Sequence, residues 1–416
     1  MNEIKHSIGE SWVIRANLLF LLNGLKKVLS NKKAIFISCG YWIFVFIMIK
    51  LKYFSILLGV VFIVIYILFL LLLGKPTGAY RMIRNFTRIG MVNKAGETPL
   101  LFDCSRSEDN YNVFILKFRN CGIPLSKWND CKENIESGLN LNIENIMESG
   151  KQFIIIKAVS GNIVLPDYVL WDSSYLSPKN FEIVLGESIT GQVKVNLTKI
   201  PHMLIGGSTG SGKSVLLKLL LMQCILKDAE VYIADFKGGV DFSAIWHDKA
   251  EIVIERDILI ERLSYIVEEL HRRKTILANS GCANIDEYND TYGYTMRRII
   301  FACDEVAQLL DKTGMNKEDK AEVAVIESNI STIARLGRAF GIHLILATQR
   351  PDANIISGQI KNNIDYRVCG RADDVLSQII LDNTDATDVI NKDAQGRFLT
   401  NSGVVFQGFY FNEKDW

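Results

Sequence analysis

Residues 203–214 read MLIGGSTGSGKS, an apolar segment that runs directly into a glycine-rich turn. The turn fits the phosphate-loop pattern G-x-x-x-x-G-K-[ST]. Its defining residues are Gly207, Gly212, Lys213 and Ser214. Glycines let backbone N–H groups close around a phosphate, and the N-terminus of the following helix adds a favourable dipole. The segment therefore predicts a strand, a phosphate-binding loop and a helix at the centre of an α/β nucleotide-binding domain.

The loop supplies the candidate ligands of ATP and Mg²⁺. The residues expected to surround the phosphates are Gly207, Ser208, Thr209, Gly210, Ser211, Gly212, Lys213 and Ser214. Lys213 is expected to reach the β and γ phosphates as a catalytic group, and the Ser214 hydroxyl is expected to ligate Mg²⁺.

A second signal lies at the apolar stretch Ile299–Cys303, which ends in Asp304 and Glu305. A carboxylate at the end of such a strand is typical of a Walker B site. Asp304 is expected to hold the Mg²⁺ shell, and Glu305 is expected to act as general base on the attacking water.

Two more predicted strands end in polar residues. Ile342–Ala347 leads to Gln349, a candidate sensor of the γ phosphate. Glu230–Ala234 ends in Asp235, for which a turn cap and a role in the site are equally open. From residue 201 to residue 408 strands and helices alternate, which predicts a parallel sheet with these side chains at its carboxyl edge.

Two apolar runs, residues 34–49 and 53–73, indicate a hairpin of transmembrane helices. Basic residues precede the first run and follow the second, so the positive-inside rule places both termini in the cytoplasm of a multi-pass membrane protein. A soluble helical hairpin and a signal peptide are the weaker alternatives. Residues 12–29 are apolar with interspersed basic residues, and are expected to lie along the inner leaflet.

Charge is divided unevenly along the chain. Residues 1–90 contain twelve Lys and Arg against two Glu, and because the whole chain carries +1, the remainder carries −9. This excludes a DNA-coating basic surface, so any DNA contact must be local or lie in a channel. Eight cysteines without a C-x-x-C pair, and five histidines without zinc-ligand spacing, predict reduced thiols and no structural metal.

These signals divide the chain into four parts. The predicted divisions are a cytoplasmic or interfacial segment (1–33), two transmembrane helices (34–73), a small α/β domain (76–199) and an ATPase domain (200–416).

Longer stretches resemble the FtsK/SpoIIIE family of DNA-translocating motors. The similar segments are 200–215, 338–351, 284–289 and 358–364, and segments 122–139 and 184–186 are similar to the small α/β domain that precedes the motor. The resemblance implies a RecA-like fold, a ring hexamer with DNA in its centre, and ATP hydrolysis between subunits. It also implies sequence-independent binding of single- or double-stranded DNA, with Lys312, Lys317 and Lys320 as candidate pore contacts.

Departures from the family narrow this expectation. No winged-helix domain follows the motor in this sequence, and Gln378 stands where the family often has an arginine. The candidates for an arginine that acts on a neighbouring subunit are Arg335, Arg338, Arg367 and Arg371. The short anchor and compact length resemble the coupling proteins of Gram-positive conjugative elements, which implies a relaxase and channel proteins as partners.

Three alternatives remain open from the sequence. The segment 235–239 also resembles ATPases of type VII protein secretion. A chromosome translocase of division or sporulation is the nearest relative among DNA motors. A non-enzymatic adaptor that only binds ATP is disfavoured by the intact Lys213, Asp304 and Glu305.

Overall fold

The computed structural model describes residues 2–52, 55–108, 110–293, 296–349 and 356–416. The chain divides into two compact units, Met1–Val164 and Leu165–Trp416. The elements of the first unit are α1 (Asn2–Ser30), α2 (Lys32–Lys50), α3 (Ile56–Gly74), α4 (Ala79–Arg88), β1 (Leu100–Arg106), β2 (Phe114–Arg119), α5 (Leu125–Asp130), α6 (Lys132–Leu139), β3 (Leu141–Ser149) and β4 (Phe153–Ser160).

Helices α2 and α3 form the predicted apolar hairpin. Each is 19 residues long and apolar enough to cross a membrane. Asn31 and Ser55 cap their N-termini through side-chain oxygens. The two helices are joined by hydrogen bonds from Tyr41 to the Phe62 carbonyl (2.7 Å) and between the Ser38 and Tyr66 hydroxyls (2.7 Å). Most of the other side chains of both helices are apolar and exposed, as is typical of helices that could cross a membrane.

Helix α1 joins the membrane hairpin to the small domain. Gly24 and Gly74 let α1 cross α3 at backbone contact, since a Cβ on Gly24 would lie 2.0 Å from the Leu70 carbonyl oxygen. Further towards its N-terminus, Trp12 and Phe20 are buried in the core of the small domain. The sequence predicted an interfacial helix, and the structure adds that one face of this helix is a structural part of the first unit.

The small domain is an antiparallel sheet in the order β1-β2-β4-β3, covered by α4, α5 and α6. Phe86 of α4 packs edge to face on Phe118 of β2 and on Trp128 of α5 at its centre, and Phe118 and Trp128 pack at a tilt of 51°. Within the family-like segment 122–139, residues 125–139 form two short helices divided at Cys131.

The second unit is built on one large sheet. Its elements are β5 (Val169–Leu170), β6 (Glu182–Ser188), β7 (Gly191–Asn196), β8 (Met203–Gly206), α7 (Lys213–Leu226), β9 (Glu230–Ala234), α8 (Ala244–His247), β10 (Glu251–Val253), α9 (Arg256–Ser280), α10 (Ile285–Tyr292), β11 (Ile299–Cys303), α11 (Val306–Leu310), α12 (Lys317–Leu336), β12 (Ile342–Thr348), α13 (Gly358–Lys361), β13 (Tyr366–Cys369), α14 (Asp374–Leu381), α15 (Asp385–Val389), β14 (Arg397–Thr400) and β15 (Val405–Tyr410). Short 3₁₀ turns lie at Ser173–Tyr175, Gly337–Phe340 and Glu413–Asp415.

The sheet has the order β10-β9-β11-β12-β8-β13-β14-β15-β6-β7, and β5 pairs with β15. The strands from β10 to β13 are parallel, which confirms the predicted α/β fold. From β13 onward the pairs along this order are antiparallel, and β14 and β15 form a hairpin joined by a tight turn. Helices cover both faces, and strands β8, β11 and β12 are buried throughout.

The predicted boundary between residues 199 and 200 differs from the division in the structure. Strands β6 and β7, which the sequence analysis placed in the small domain, extend the large sheet beside β15. Gln223 of α7 holds β6 in place, since its amide bonds both the N–H (2.9 Å) and the C=O (2.8 Å) of Val184. These residues form one hydrophobic core with the phosphate-loop helix, so the boundary lies after Val164.

Candidate nucleotide-binding site

The phosphate loop lies between β8 and α7, at the carboxyl edge of the parallel strands. Gly210 and Gly212 have φ of 76° and 96°, in the left-handed region that favours glycine. Gly212 is the N-cap residue of α7, and Lys213 and Ser214 are the first two residues of the helix. The unpaired N–H groups of this first turn therefore face the loop, as anion binding requires.

Asp304, at the end of β11, is the centre of the polar cluster. Its Oδ1 accepts hydrogen bonds from Lys213 Nζ (2.9 Å) and Ser214 Oγ (2.9 Å). Its Oδ2 accepts one from Lys237 Nζ at 2.7 Å. Asp304 and Lys213 are 2% and 6% exposed, so their ion pair is buried. The structure thus brings together the three residues predicted to bind phosphate and metal, and adds Lys237.

The cluster is held in its charged form. Burial opposes ionisation of Asp304, but Lys213 and Lys237 outweigh it and lower the pKa of this carboxyl to about 2. Burial also opposes ionisation of Lys237 and on its own would lower the pKa of this amine. The hydrogen bonds that Lys237 donates to Asp304 and Asp241 outweigh burial and raise its pKa above the usual value. Asp304 is therefore ionised at any physiological pH, as a metal ligand must be.

Glu305 is fixed by the strand beside it. Thr348 Oγ1 donates to Glu305 Oε1 at 2.6 Å, and the Gln349 N–H donates to Oε2 at 3.0 Å. Glu305 is 4% exposed. The Gln349 side chain turns to the phosphate loop, where its Oε1 accepts from Thr209 Oγ1 at 3.0 Å. Gln349 thus connects the candidate base to the loop, the position a γ-phosphate sensor needs.

Asp235 acts as a turn cap in this structure. Its Oδ1 accepts from the Lys237 N–H at 3.0 Å, while its Oδ2 is buried without a hydrogen-bond partner in the described part of the chain. The cap turns the chain after β9 so that Lys237 reaches Asp304. The structure thus shows Asp235 as a turn cap, and a role for Asp235 in the nucleotide site stays a prediction.

Arg371 holds the phosphate loop from the other side. Its Nη2 donates to the Thr209 carbonyl (2.6 Å) and its Nη1 to the Lys392 carbonyl (2.8 Å), while the Ser208 N–H donates to the Arg371 carbonyl (2.7 Å). Arg371 therefore supports the loop of its own chain.

The other arginine candidates differ in their contacts. Arg367 bonds Asp382 and the carbonyls of Ile364 and Lys361. Arg335 and Arg338 are exposed and have no ion-pair partner among the residues that the structure describes.

The predicted pore segment, 311–320, follows α11 and includes the first turn of α12. Lys312 pairs with Glu327 at 2.7 Å. Lys317 and Lys320 are exposed and unpaired within the described ranges. Arg350 and Pro351, the last two residues of the family-like stretch 338–351, lie outside the described residues.

Residues at the opposite edge of the sheet explain two other family-like stretches. His202 Nδ1 accepts from the Leu344 N–H at 3.0 Å, and burial lowers the pKa of His202 to about 4. His343 Nε2 lies 3.1 Å from Arg298 Nη1, and Arg298 Nη2 donates to Asp286 of α10. The Pro-His sequence before β8 and the start of α10 therefore have structural roles, which tie α10 to the first residues of β11 and β12.

The donor set at the loop fits Mg²⁺. The Ser214 hydroxyl and the Asp304 carboxylate converge within hydrogen-bond distance, and hard oxygen ligands are those that Mg²⁺ prefers. A cavity of about 270 Å³ opens over them, and its lining includes Ser208 to Val215, Lys237 and Gln349. Across the described ranges, no group of three or more His, Cys, Asp and Glu side chains forms another metal site.

Lys237 and Thr348 contribute to the site but were not singled out from the sequence. Arg371 was singled out as an arginine that acts on a neighbouring subunit, not as a support of the loop in its own chain. Lys237 lies two residues after a predicted strand, beside Asp235, and this position was the available signal. Thr348 had no local signal, because its contact with Glu305 depends on the pairing of β12 with β11. The contacts of Arg371 with the loop likewise depend on the pairing of β13 with β8.

Comparison with known proteins gives consistent similarities. The FtsK/SpoIIIE family model matches residues 170–318. The conjugation coupling protein TcpA of pCW3, solved as a monomer with ATPγS, is 36% identical, covers 82% of this chain and is itself covered to 97%, with a TM-score of 0.60.

Two curated relatives are DNA translocases. FtsK of Clostridium acetobutylicum is 33% identical over 258 residues, which are 58% of this chain and 32% of the relative. SftA of Bacillus subtilis is 31% identical over 247 residues, 56% of this chain and 25% of the relative. The chain thus spans about a third or less of the length of these two proteins. The matched family model, together with the near-complete coverage of a solved relative at this identity, shows that the chain belongs to the FtsK/SpoIIIE family.

Proposed function

We propose that this protein is a membrane-anchored ATPase that translocates DNA and acts as the coupling protein of a conjugation system. The observation that carries the proposal is the similarity to TcpA along 97% of that chain, with Lys213, Ser214 and Asp304 converging at the phosphate loop. The translocase names of the curated relatives support the DNA-moving part of the proposal.

The buried cluster supports a division of labour in hydrolysis. Lys213 and the N–H groups of the loop bind the β and γ phosphates, and Ser214 and Asp304 hold Mg²⁺, which supplies positive charge to the phosphates when bound. Glu305 accepts a proton from the attacking water as general base. The Thr348 hydroxyl donates a hydrogen bond to one carboxylate oxygen of Glu305, and the Gln349 N–H donates one to the other. These two bonds fix the orientation of the carboxylate.

The site also supports a link between hydrolysis and movement. Gln349 contacts both the loop and Glu305, so a change at the γ phosphate reaches the end of β12. DNA contact through the exposed Lys317 and Lys320, in a homo-oligomeric ring such as a hexamer, is consistent with a chain of low net charge. Of the four candidate arginines, Arg335 and Arg338 are exposed and without an ion-pair partner in the described part of the chain, which leaves them available to act on a neighbouring copy.

Helices α2 and α3 are proposed to anchor the protein in the cell membrane with both termini in the cytoplasm. The basic residues beside Ala34 and Gly74 support this orientation. The exposed apolar side chains of α1 continue this anchor along the inner leaflet; they are Ile14, Leu18, Leu22, Leu25 and Leu29.

The test of the proposal is ATP hydrolysis by the full chain in nanodiscs, with and without single-stranded and duplex DNA. Stimulation by either DNA, absent in Lys213→Ala, is the expected result. Hydrolysis that ignores DNA but rises with a secreted protein substrate would replace the proposal with protein secretion. Absence of hydrolysis under every condition would leave only an ATP-binding adaptor.

The conjugative role needs its own experiment. Donor cells that carry a conjugative element without its coupling protein are supplied with this chain, with Lys213→Ala or with no chain. Plasmid transfer restored only by the intact chain supports the role, as would capture of the element's relaxase. A chain that hydrolyses ATP on DNA but restores segregation of chromosomes rather than transfer would be a chromosome translocase.

A further inference from the structure

We propose that a second cavity beside the phosphate loop binds the nucleobase of the nucleoside triphosphate, and that Tyr168 and Tyr410 form its stacking surface. The inference rests on the proposed binding of ATP at the loop. It adds the residues that recognise the nucleobase, the part of the nucleotide that contacts with the phosphates do not distinguish.

The cavity has a volume of about 220 Å³ and lies between the start of α7 and the hairpin of β14 and β15. It shares Gly212, Val215 and Gln395 with the cavity over the phosphate loop. A nucleotide joins its base to its phosphates through a single sugar, so the base has to occupy a space that adjoins the phosphate site. This cavity adjoins it along the N-terminus of α7.

The wall of the cavity is attached to the phosphate loop. The Gly396 N–H donates to the Ser211 carbonyl at 2.9 Å, and the Gly408 N–H donates to the Gly396 carbonyl at 2.8 Å. Gly212 lies against the same strand, since a Cβ on it would be 3.0 Å from the N and Cα atoms of Gly396. These bonds set the spacing between the base site and the phosphate site, which a ligand of fixed length requires.

The chemistry of the cavity suits a planar ring. Tyr168 and Tyr410 lie with ring centroids 5.5 Å apart at 38°, at its mouth, and remain 60% and 42% exposed. Phe398 and Phe409 line its floor. A nucleobase has two apolar faces and a polar edge, so it buries its faces against such rings while its edge reaches water or a side chain.

Gln395 is a lining side chain that is available for the edge of the base. Gln407 has both ends of its amide occupied, since Oε1 accepts from Arg397 Nε (3.0 Å) and Nε2 donates to the Gln395 carbonyl (3.0 Å). The side chain of Gln395 is exposed and has no hydrogen bond within the described ranges. Gln395 therefore supplies both a donor and an acceptor at the boundary between the two cavities.

The test compares ATP with inorganic tripolyphosphate, a ligand that has the phosphates but no base. Binding of each to the full chain in detergent, with Mg²⁺, is measured by calorimetry for the wild type and for Tyr410→Ala and Tyr168→Ala. Loss of a base-stacking ring is expected to raise the Kd for ATP about tenfold and to leave the Kd for tripolyphosphate unchanged. Tyr410→Phe keeps the ring and is expected to bind ATP like the wild type.

Tyr292→Ala is the matched control, because Tyr292 is 55% exposed and also packs on a second tyrosine, Tyr288, at 4.8 Å. It is expected to change neither Kd. Equal Kd values for ATP in the wild type and Tyr410→Ala would overturn the inference, as would a wild type that binds ATP no better than tripolyphosphate. In both cases ATP binding itself stands. A wild type that binds neither ligand would instead refute the proposed function, and this inference with it.

Discussion

Replacing Gly212 by alanine tests how closely the phosphate loop is packed, and Gly314→Ala provides its control. Both glycines have positive φ, 96° and 72°, so each alanine costs about 1–2 kcal/mol of backbone strain. A Cβ on Gly314 meets nothing within 4 Å, whereas one on Gly212 lies 3.0 Å from the backbone of Gly396. Gly396 is held on both sides, by Ser211 and Gly408, and so cannot move away cheaply.

The extra contact at Gly212 is expected to add about 1–3 kcal/mol, the usual cost of overpacking. A domain of about this size loses roughly 2–4 °C of melting temperature per kcal/mol. Gly212→Ala should therefore melt about 5 °C below Gly314→Ala in a thermal scan of the full chain without nucleotide, and should alone weaken ATP binding. Equal melting temperatures and equal ATP affinity in the two variants would refute the packing argument.

Three further predictions follow from particular contacts. Glu305→Gln keeps the size of the side chain but removes the base, so kcat for ATP hydrolysis should fall about 10²–10⁴-fold while the Kd for ATP stays within a few-fold; a small loss of kcat would assign the base elsewhere. Gly24→Leu places a side chain where the α3 backbone lies 2.0 Å away, so the folded yield in detergent should collapse, whereas Gly40→Leu, with nothing within 4 Å, should fold normally; similar yields would contradict the helix crossing. The pKa of Asp304 is lowered to about 2 from 3.8, which gives about 2 kcal/mol of stability above pH 4 that is lost as the pH falls from 4 to 2. The free energy of unfolding of Asp304→Asn, measured at pH 5 and pH 2.5, should lack this pH-dependent component. An identical pH profile in the variant and the wild type would show that the Asp304 carboxylate does not face Lys213 in its charged form.

Where a continuous apolar run ends in polar residues, the sequence predicted a strand with the bounds that the structure has. Ile299–Cys303 and Glu230–Ala234 are strands over the predicted residues, because a short fully buried strand leaves a clear contrast with its polar flanks. The phosphate-loop helix is also where the motif placed it. Lys213, Ser214 and Asp304 converge as expected, since the carboxyl ends of parallel strands share one edge of the sheet.

Contacts that depend on strand order could not be predicted in this way. Lys237 reaches Asp304 because β9 lies directly beside β11, and nothing in the sequence between them sets that adjacency. Tyr168 contacts Tyr410 because β5 pairs with β15, a strand that lies far from β5 in the sequence.

The predicted boundary at residues 199 and 200 differs from the division of the structure for a related reason. Strands β6 and β7 precede the phosphate loop in the chain, and the antiparallel pairing of β6 with β15 and of β7 with β6 assigns them to the large sheet. Local sequence patterns thus predict strands, whereas the pairing of those strands with distant parts of the chain determines the domain to which they belong.

Displacement of a bound third strand tests translocation most directly. The full chain in nanodiscs is given ATP and a duplex that carries a triplex-forming oligonucleotide, and in parallel a single strand with streptavidin at one end. The account predicts ATP-dependent displacement from at least one of these substrates, abolished in Lys213→Ala. DNA-stimulated ATP hydrolysis without displacement from either substrate would contradict it, because the chain would then consume ATP on DNA without moving along it.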